Sequence, residues 1–220
     1  HRLRAIAASG VAEIAAIGDA SAAALKDLDA VAPHAARVSS LDELLAQPLD
    51  GLVIATPSVL HAAQSIRALE QGLPVFCQEP LAHDAAGTRH VIHAARSADL
   101  LLGVDLCYRH TEAMRVLRSV VQAGELGDVY AVDVVFHAAH GPDRSRASEA
   151  RLTEGGCVMD PGVHLVDLAL WTLGFPRVTG VTSRLYAGGE LLGQGKRSVV
   201  EDHAVALLEL DTGATVRMAC

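Results

Sequence analysis

Asp160 and His164 are the pair of residues in this sequence best suited to moving a proton. A helix is predicted over residues 161–173, because Asp160 is a favoured helix N-cap and Pro161 suits the first helical position. Residues four apart share a helix face, and Asp167 lies on that face too, so a carboxylate can hold the imidazole in one tautomer. A histidine held in this way can accept or donate a proton near neutral pH.

Spacing alone leaves two other interpretations of this pair open. Asp160 can cap the helix without any chemical role, and His164 can be a core histidine whose hydrogen bonds are satisfied by its neighbours. Whether Asp160 and His164 have a structural or a catalytic role therefore depends on the elements that surround them.

Composition indicates a folded globular protein that does not bind nucleic acid or membranes. Half of the 220 residues are hydrophobic, which is enough to bury a sizeable core. The 26 acidic residues outnumber the 18 lysines and arginines and give a net charge of −8, which opposes attraction to polyanions. With no long apolar run and no secretory leader, we expect a cytoplasmic protein, and the four widely spaced cysteines predict unbridged thiols and no metal site.

The first half of the chain alternates predicted strands with predicted helices. Apolar runs predict strands at residues 11–17, 52–55, 74–77 and 100–104. Helical patterns fall before and between them, at residues 1–9, 20–28, 41–46, 58–72 and 84–98. Ser58 is the expected cap of the fourth helix. This alternation predicts an α/β domain over residues 1–104, with a Rossmann-type parallel sheet covered on both faces.

The second half changes to an α+β pattern. Its predicted elements are a helix over 111–123, a polar loop over 138–156, and strands over 129–136, 178–185, 198–210 and 215–219. The loop is long enough to cover a site. Residues 105–220 are therefore predicted to form a second domain with a mainly antiparallel sheet.

Polar residues follow the predicted parallel strands at their carboxyl ends, where α/β folds bind ligands. They are Asp19, Thr56-Pro57, Gln78-Glu79-Pro80 and Asp105. An acidic residue in the position of Asp19 holds the adenosine ribose in dinucleotide-binding folds, and no lysine or arginine follows within six residues to accept a 2′-phosphate. An ordinary turn aspartate explains the same position equally well.

Four stretches of the sequence, residues 15–19, 55–61, 75–82 and 156–174, occur in the order typical of one family. Together they resemble the glucose-fructose oxidoreductase, inositol dehydrogenase and MocA family of NAD(P)-dependent dehydrogenases. The resemblance implies NAD as the cofactor, with NADP as the alternative. It also implies a small sugar, polyol or cyclitol as the substrate, and a homo-oligomer.

The resemblance further implies a role for each matching residue. His164 would take the proton of a substrate hydroxyl as hydride leaves for the nicotinamide, with Asp160 as its partner. The residues that match the cofactor site are Asp19, Thr56, Pro57, His61, Gln78 and Pro80. The residues that match the substrate wall are Tyr108, Arg109 and His137. Each of these three residues also has a structural explanation. Tyr108 can serve in packing, Arg109 in a surface ion pair, and His137 can be a strand residue that faces solvent.

Two departures from the family pattern bear on function. The glycine-rich G-x-G-x-x-G turn, whose amides hold the pyrophosphate, has no counterpart in the sequence, and the chain ends inside the family's second-domain sheet. We therefore expect a portion of a longer protein, with the first domain incomplete at its N-terminus and the second at its C-terminus.

The second departure is Glu79, which occupies the place of the lysine in the family's Glu-Lys-Pro signature. A carboxylate only accepts hydrogen bonds, whereas lysine donates them and stabilises a developing alkoxide. Glu79 therefore predicts either an altered mechanism, in which it serves as a base, or the loss of activity. The competing interpretations are a catalytically silent nucleotide- or sugar-binding regulatory protein of the same fold, and a structural piece that binds no ligand.

Overall fold

The computed structural model of the chain describes residues 2–21, 25, 28, 30–137, 155–193 and 200–220. The chain divides into two compact units. The first comprises His1–Ile54, Ala62–Cys77 and Arg89–Gly103, and the second comprises Ala55–His61, Gln78–Thr88 and Val104–Cys220. The predicted helix over 20–28 and the predicted loop over 138–156 lie mostly outside the described residues.

Short parallel strands form the sheets of the first half of the chain. Strand β1 (Ala16–Gly18) pairs in parallel with β2 (Ala36–Val38), and β3 (Leu52–Ile54) pairs in parallel with β4 (Val75–Cys77), beside which lies β5 (Leu102–Val104). The helices here are α1 (Arg2–Ser9), α2 (Leu41–Leu45), α3 (His61–Glu70) and α4 (Ala85–Ala98). The first and last residues of β3 and of β4 are buried, which holds these strands in the core. A loop follows the carboxyl end of each strand.

The strand predicted over residues 11–17 is wrong in its extent. Strand β1 begins only at Ala16, which pairs with Ala36, the first residue of β2. Val11, inside the predicted strand, is 85% exposed. An apolar run gains little from extended structure where no neighbouring strand is available, so pairing rather than hydropathy sets the limit.

A five-stranded sheet dominates the second unit. Its strands are β6 (Ala131–Val135), β7 (Val178–Ala187), β8 (Glu190–Leu191), β9 (His203–Leu210) and β10 (Thr215–Ala219), in the order β6-β10-β9-β7-β8. β6 and β10 are parallel, and the other pairs are antiparallel. The helices of this unit are α5 (Glu112–Gln122) and α6 (Val163–Thr172).

Helix α6 packs against one face of this sheet. Leu165 and Ala169 from the helix join Leu208 from β9 and Val216 and Met218 from β10 in a single buried cluster. Residues of β9 alternate between buried and exposed positions, as expected for a sheet with one covered face. This packing fixes the backbone of α6, which carries His164.

The predicted fold class is confirmed: a Rossmann-type parallel sheet is followed by a domain with a mixed, mostly antiparallel sheet. Among the described residues, no helix has the length and apolar character needed to cross a membrane.

Candidate active site

His164 lies near the start of α6 and forms a hydrogen bond with Glu79. Its Nε2 atom is 3.0 Å from Glu79 Oε1, and the histidine is only 7% exposed. An ionised carboxylate can only accept hydrogen bonds, so the Nε2 proton is donated to Glu79 and a neutral imidazole keeps its lone pair on Nδ1. The arrangement suits Nδ1 to accept a proton from another molecule.

The ring of Tyr108 packs edge-on against His164. The ring centroids are 4.7 Å apart and the ring planes are perpendicular, a favourable geometry for aromatic pairs. Tyr108 belongs to a short 3₁₀ turn, Cys107–His110, and keeps part of its surface exposed. The imidazole is therefore held by Glu79 at one nitrogen and by Tyr108 at its ring.

Arg109, the next residue of that turn, forms a bidentate ion pair with Asp167 on α6. Its Nε atom donates to Asp167 Oδ2 over 2.7 Å, and a terminal nitrogen donates to Oδ1. The guanidinium also lies over the ring of Phe175, 5.2 Å from the ring centroid. The ion pair attaches the turn that carries Tyr108 to the helix that carries His164. It also neutralises the charge of Asp167.

Asp160 does not orient His164 as the helical spacing predicts. Residues Val158–Gly162 form one π-helical turn that is interrupted at Asp160, whose backbone is extended (φ −157°, ψ 104°), and α6 begins only at Val163. The four-residue spacing therefore does not place the two side chains on one helix face. Among the described residues no hydrogen bond joins Asp160 to His164, and Glu79 supplies the carboxylate instead.

Glu201 holds the segment that leads into this turn, a role that the sequence did not indicate. Its backbone oxygen accepts from Cys157 N over 3.1 Å, and its Oε1 accepts from Val158 N over 3.2 Å. A Cβ at Gly156 would overlap both the backbone oxygen and the carboxyl group of Glu201. Glycine is thus required at position 156 by a close backbone approach.

The thiols of Cys157 and Cys220 join the same segment to the end of β10. Cys220 Sγ donates to Cys157 O over 3.2 Å, and Cys157 Sγ lies 3.8 Å from Cys220 O. The contact between the two thiols, together with burial, raises the pKa of Cys157, and it lowers the pKa of Cys220. All four cysteines of the sequence are described, and none forms a disulfide.

We predict that Gly156→Ala lowers the free energy of unfolding by about 1–3 kcal/mol, because the added methyl group must displace Glu201. Thermal and urea unfolding of the full-length protein measure the effect. The matched control is Gly193→Ala, where an added Cβ meets no atom of a described residue within 4 Å. Equal stability of the two variants would contradict this explanation of Gly156.

His61 connects the two loops that follow β3 and β4. Its side chain is 1% exposed, with Nε2 2.8 Å from the Thr56 carbonyl oxygen and Nδ1 2.8 Å from the Pro80 carbonyl oxygen. A second contact joins the same loops, because Ser58 Oγ lies 2.8 Å from His83 Nε2. These contacts fix the backbone on either side of the loop position that carries Glu79.

The expectation that Ser58 caps a helix is wrong. Ser58–Leu60 is a 3₁₀ turn without a side-chain cap, and α3 begins at His61. The Ser58 hydroxyl is engaged by His83, which is 25 residues away in the sequence and so lies outside any local capping pattern.

The other predicted cofactor residues lie at the ends of strands. Thr56 and Pro57 follow β3, and Gln78 follows β4, and all three keep part of their surface exposed. Asp19 directly follows β1, is exposed, and accepts a hydrogen bond from Ser21 N at Oδ1 over 2.7 Å. That bond is typical of a turn aspartate, and an exposed carboxylate can accept further donors.

His137 lies at the end of β6 and contacts a different set of residues. Its ring centroid is 5.9 Å from that of His203 on β9, which in turn lies 5.7 Å from the ring of Tyr186. The recorded contacts therefore bring Tyr108 and Glu79 to His164, but not His137. In the part of the chain that the structure describes, no group of three or more His, Cys, Asp or Glu residues is placed to hold a metal ion.

Comparison with known proteins finds matches to two domain models of one oxidoreductase family. Residues 1–106 match the model of an oxidoreductase family with an NAD-binding Rossmann fold, and residues 114–220 match the model of the GFO/IDH/MocA C-terminal domain. Together the two models cover nearly the whole chain.

Curated relatives and solved structures agree with these matches. The inositol 2-dehydrogenase of Rhodococcus erythropolis is 28% identical over 209 residues, which cover 94% of this chain and 57% of that protein. The rhizopine catabolism protein MocA of Rhizobium meliloti is 31% identical over 172 residues, covering 78% and 53%. The chain spans about half the length of the curated relatives that it matches.

The solved structure of the WlbA dehydrogenase from Bordetella pertussis, in complex with NADH and UDP-GlcNAcA, is similar over 99% of this chain and 61% of that one. The two chains are 26% identical, and the TM-score is 0.79.

Proposed function

The chain belongs to the GFO/IDH/MocA family of oxidoreductases, and we propose that the full-length protein oxidises a hydroxyl group of a sugar, polyol or cyclitol in an NAD-dependent reaction. In this proposal His164 accepts the hydroxyl proton. The observation that carries the proposal is the hydrogen bond between His164 and Glu79, because it leaves one imidazole nitrogen available as a base.

We propose that the strand-end residues Asp19, Thr56, Pro57 and Gln78 contact the dinucleotide. Asp19 is an exposed carboxylate after a parallel strand, where ribose hydroxyls are held, and Thr56, Pro57 and Gln78 are accessible at further strand ends. When bound, NAD would accept the hydride. No lysine or arginine follows Asp19 within six residues, which favours NAD over NADP.

His61 and Pro80 would position the loops that carry these residues without contacting the dinucleotide. His61 is buried and both of its nitrogens face carbonyl oxygens, so we assign it the positioning of the Thr56 and Pro80 backbones rather than contact with the dinucleotide. This assignment changes the role that the resemblance implies for His61.

The proposed proton transfer uses His164 and Glu79 as a pair. His164 Nδ1 accepts the proton of the substrate hydroxyl, and the imidazolium that forms is stabilised by the Glu79 carboxylate at Nε2. Both side chains are largely shielded from water, so their attraction is stronger than in bulk solvent. Glu79 thus assists the base, where the family's lysine would stabilise an alkoxide.

The substrate would lie beside the exposed side of Tyr108. Tyr108 contacts His164 directly, whereas Arg109 is committed to Asp167 and would support the wall without touching the substrate. The ring of His137 contacts that of His203, and this contact does not support a role for His137 in the substrate site.

A second function class is favoured by one observation, the carboxylate at position 79. A protein that kept the fold and lost the family's lysine, which donates a hydrogen bond to the developing alkoxide, would bind nucleotide or sugar without turning it over. Incubating the full-length protein with NAD and a panel of sugars, polyols and cyclitols, and following NADH formation, separates the two. Turnover of at least one compound is expected; binding of NAD by calorimetry without any turnover would favour the silent protein.

We also propose that the full-length protein is a homo-oligomer, with the face of the five-stranded sheet opposite α6, on which no described helix packs, as the interface. Val135 and Leu207 are exposed on this face, beside the ion pair of Arg217 with Asp133. The pair raises the pKa of Arg217 and lowers the pKa of Asp133. Light scattering after size-exclusion chromatography should give a multiple of the monomer mass, and a monomer that persists at high concentration would contradict the proposal.

A further inference from the structure

Two thiols meet where the segment before α6 reaches the end of β10. Cys220 Sγ donates to the Cys157 carbonyl oxygen over 3.2 Å, and Cys157 Sγ lies 3.8 Å from the Cys220 carbonyl oxygen. The two side chains also hydrogen-bond to each other. The residues lie 63 positions apart in the sequence, so the fold is what brings their sulfur atoms together. Neither thiol has a part in the proposed proton transfer.

The environment of the two thiols suits them to reaction with an oxidant. When Cys220 is ionised, it accepts a hydrogen bond from the Cys157 thiol, which lowers the pKa of Cys220. The thiolate is the nucleophilic form of cysteine. Cys220 is only 5% exposed, but Cys157 keeps part of its surface exposed, so a small oxidant can approach from the side of Cys157. Oxidation-sensitive cysteines typically combine a lowered pKa with a second thiol beside them.

We propose that Cys157 and Cys220 form a reversible disulfide when the protein meets a hydroperoxide, and that this bond slows the full-length enzyme. The effect on rate rests on the proposed function, whereas the disulfide itself does not.

The reaction proceeds in two balanced steps. The Cys220 sulfur attacks one peroxide oxygen, the O–O bond breaks, and the thiol proton leaves with the second oxygen as water, so that Cys220 becomes a sulfenic acid. The Cys157 sulfur then attacks the Cys220 sulfur, the S–S bond forms, the S–O bond breaks, and a second water molecule leaves. The two thiols lose two electrons, and the peroxide gains them.

The new bond would displace the segment before α6 rather than the strand. Cys220 is fixed in the sheet, because its backbone N and O pair with Ala204 over 3.0 and 2.8 Å. A covalent bond is shorter than the hydrogen bond that it replaces, so Cys157 must move toward Cys220. The Cys157 carbonyl oxygen accepts from Gly162 N over 2.8 Å, and Gly162 directly precedes α6, whose first turn carries His164. A displacement of about 1 Å at a reacting group can cost about 10²-fold in rate.

Peptide mapping by mass spectrometry tests the disulfide in the full-length protein after mild treatment with hydrogen peroxide. We expect a linked pair of peptides that contain Cys157 and Cys220, lighter by two hydrogen atoms and separated again by dithiothreitol. Cys157→Ser and Cys220→Ser should each abolish the link, whereas Cys107→Ser, which removes an exposed cysteine, should leave it intact. Oxidation of Cys107 without this link would overturn the inference, because peroxide would have acted and the pair would not have joined.

Hydrogen–deuterium exchange and NADH formation, measured after the peroxide is removed, test the coupling to α6. In the reduced protein the amides of Cys157 and Val158 donate to Glu201, so displacement of the segment should speed their exchange by about threefold or more. NADH formation should fall by about threefold or more, and dithiothreitol should restore it. Cys157→Ser should show neither response to peroxide.

The exchange measurement separates this inference from the proposed function. A linked protein with faster exchange at these amides, but without turnover in either redox form, would support the inference and contradict the dehydrogenase. A linked protein whose exchange and turnover equal those of the reduced protein would overturn the coupling that we propose.

Discussion

Replacing His164 with alanine is expected to lower the turnover number of the full-length protein by about 10²–10⁴-fold, the usual contribution of general acid–base catalysis. The affinity for NAD should change little, because the residues assigned to the dinucleotide lie at the ends of strands and not on α6. Steady-state NADH formation and calorimetric titration with NAD measure the two quantities.

Two controls keep this result interpretable. His90→Ala removes an exposed histidine from α4 and should leave turnover unchanged. Added imidazole should restore part of the activity of His164→Ala, since a small base can occupy the space of the missing ring. Turnover within about twofold of the unaltered protein would remove His164 from the mechanism.

Changing Glu79 is expected to have the second-largest effect. Glu79→Gln keeps the shape and an acceptor for His164 Nε2 but removes the charge that stabilises the imidazolium, so turnover should fall by about tenfold or more. Glu190→Gln on β8 is the matched control.

Glu79→Lys should be more damaging than Glu79→Gln, with a loss of about 10²–10³-fold. The introduced ammonium group donates to Nε2, which forces the remaining proton of a neutral imidazole onto Nδ1 and removes the lone pair that would accept the substrate proton. A variant with lysine that is faster than the unaltered protein would show instead that Glu79 has silenced a conventional member of the family.

Local patterns in the sequence were sufficient for most of the fold. The apolar runs that become β3 and β4 and the helical pattern of α4 follow from burial at regular intervals, and the observed elements agree with the predictions to within a few residues. The parallel pairing of β6 with β10 was not predicted, because residues 84 positions apart in the chain carry no local sign of their pairing.

The residues of the site could be predicted from the sequence, but the hydrogen bonds between them could not. His164 and Glu79 were identified by residue type and by resemblance, but the bond between them joins positions 85 residues apart. The segment that leads to the interruption at Asp160 is held by Glu201, which contacts Gly156 only in the folded chain. Helical spacing therefore predicted Asp160 as the carboxylate that holds His164, whereas the structure has Glu79 in that place.

The most direct test of the account is the rate of NADH formation by the full-length protein and its Glu79→Lys variant, measured side by side on a substrate from the panel. We expect the unaltered protein to be active and the variant to be slower by at least about a hundredfold. Silence of the unaltered protein, together with activity in the variant, would contradict the assignment of Glu79 and His164 as a working pair.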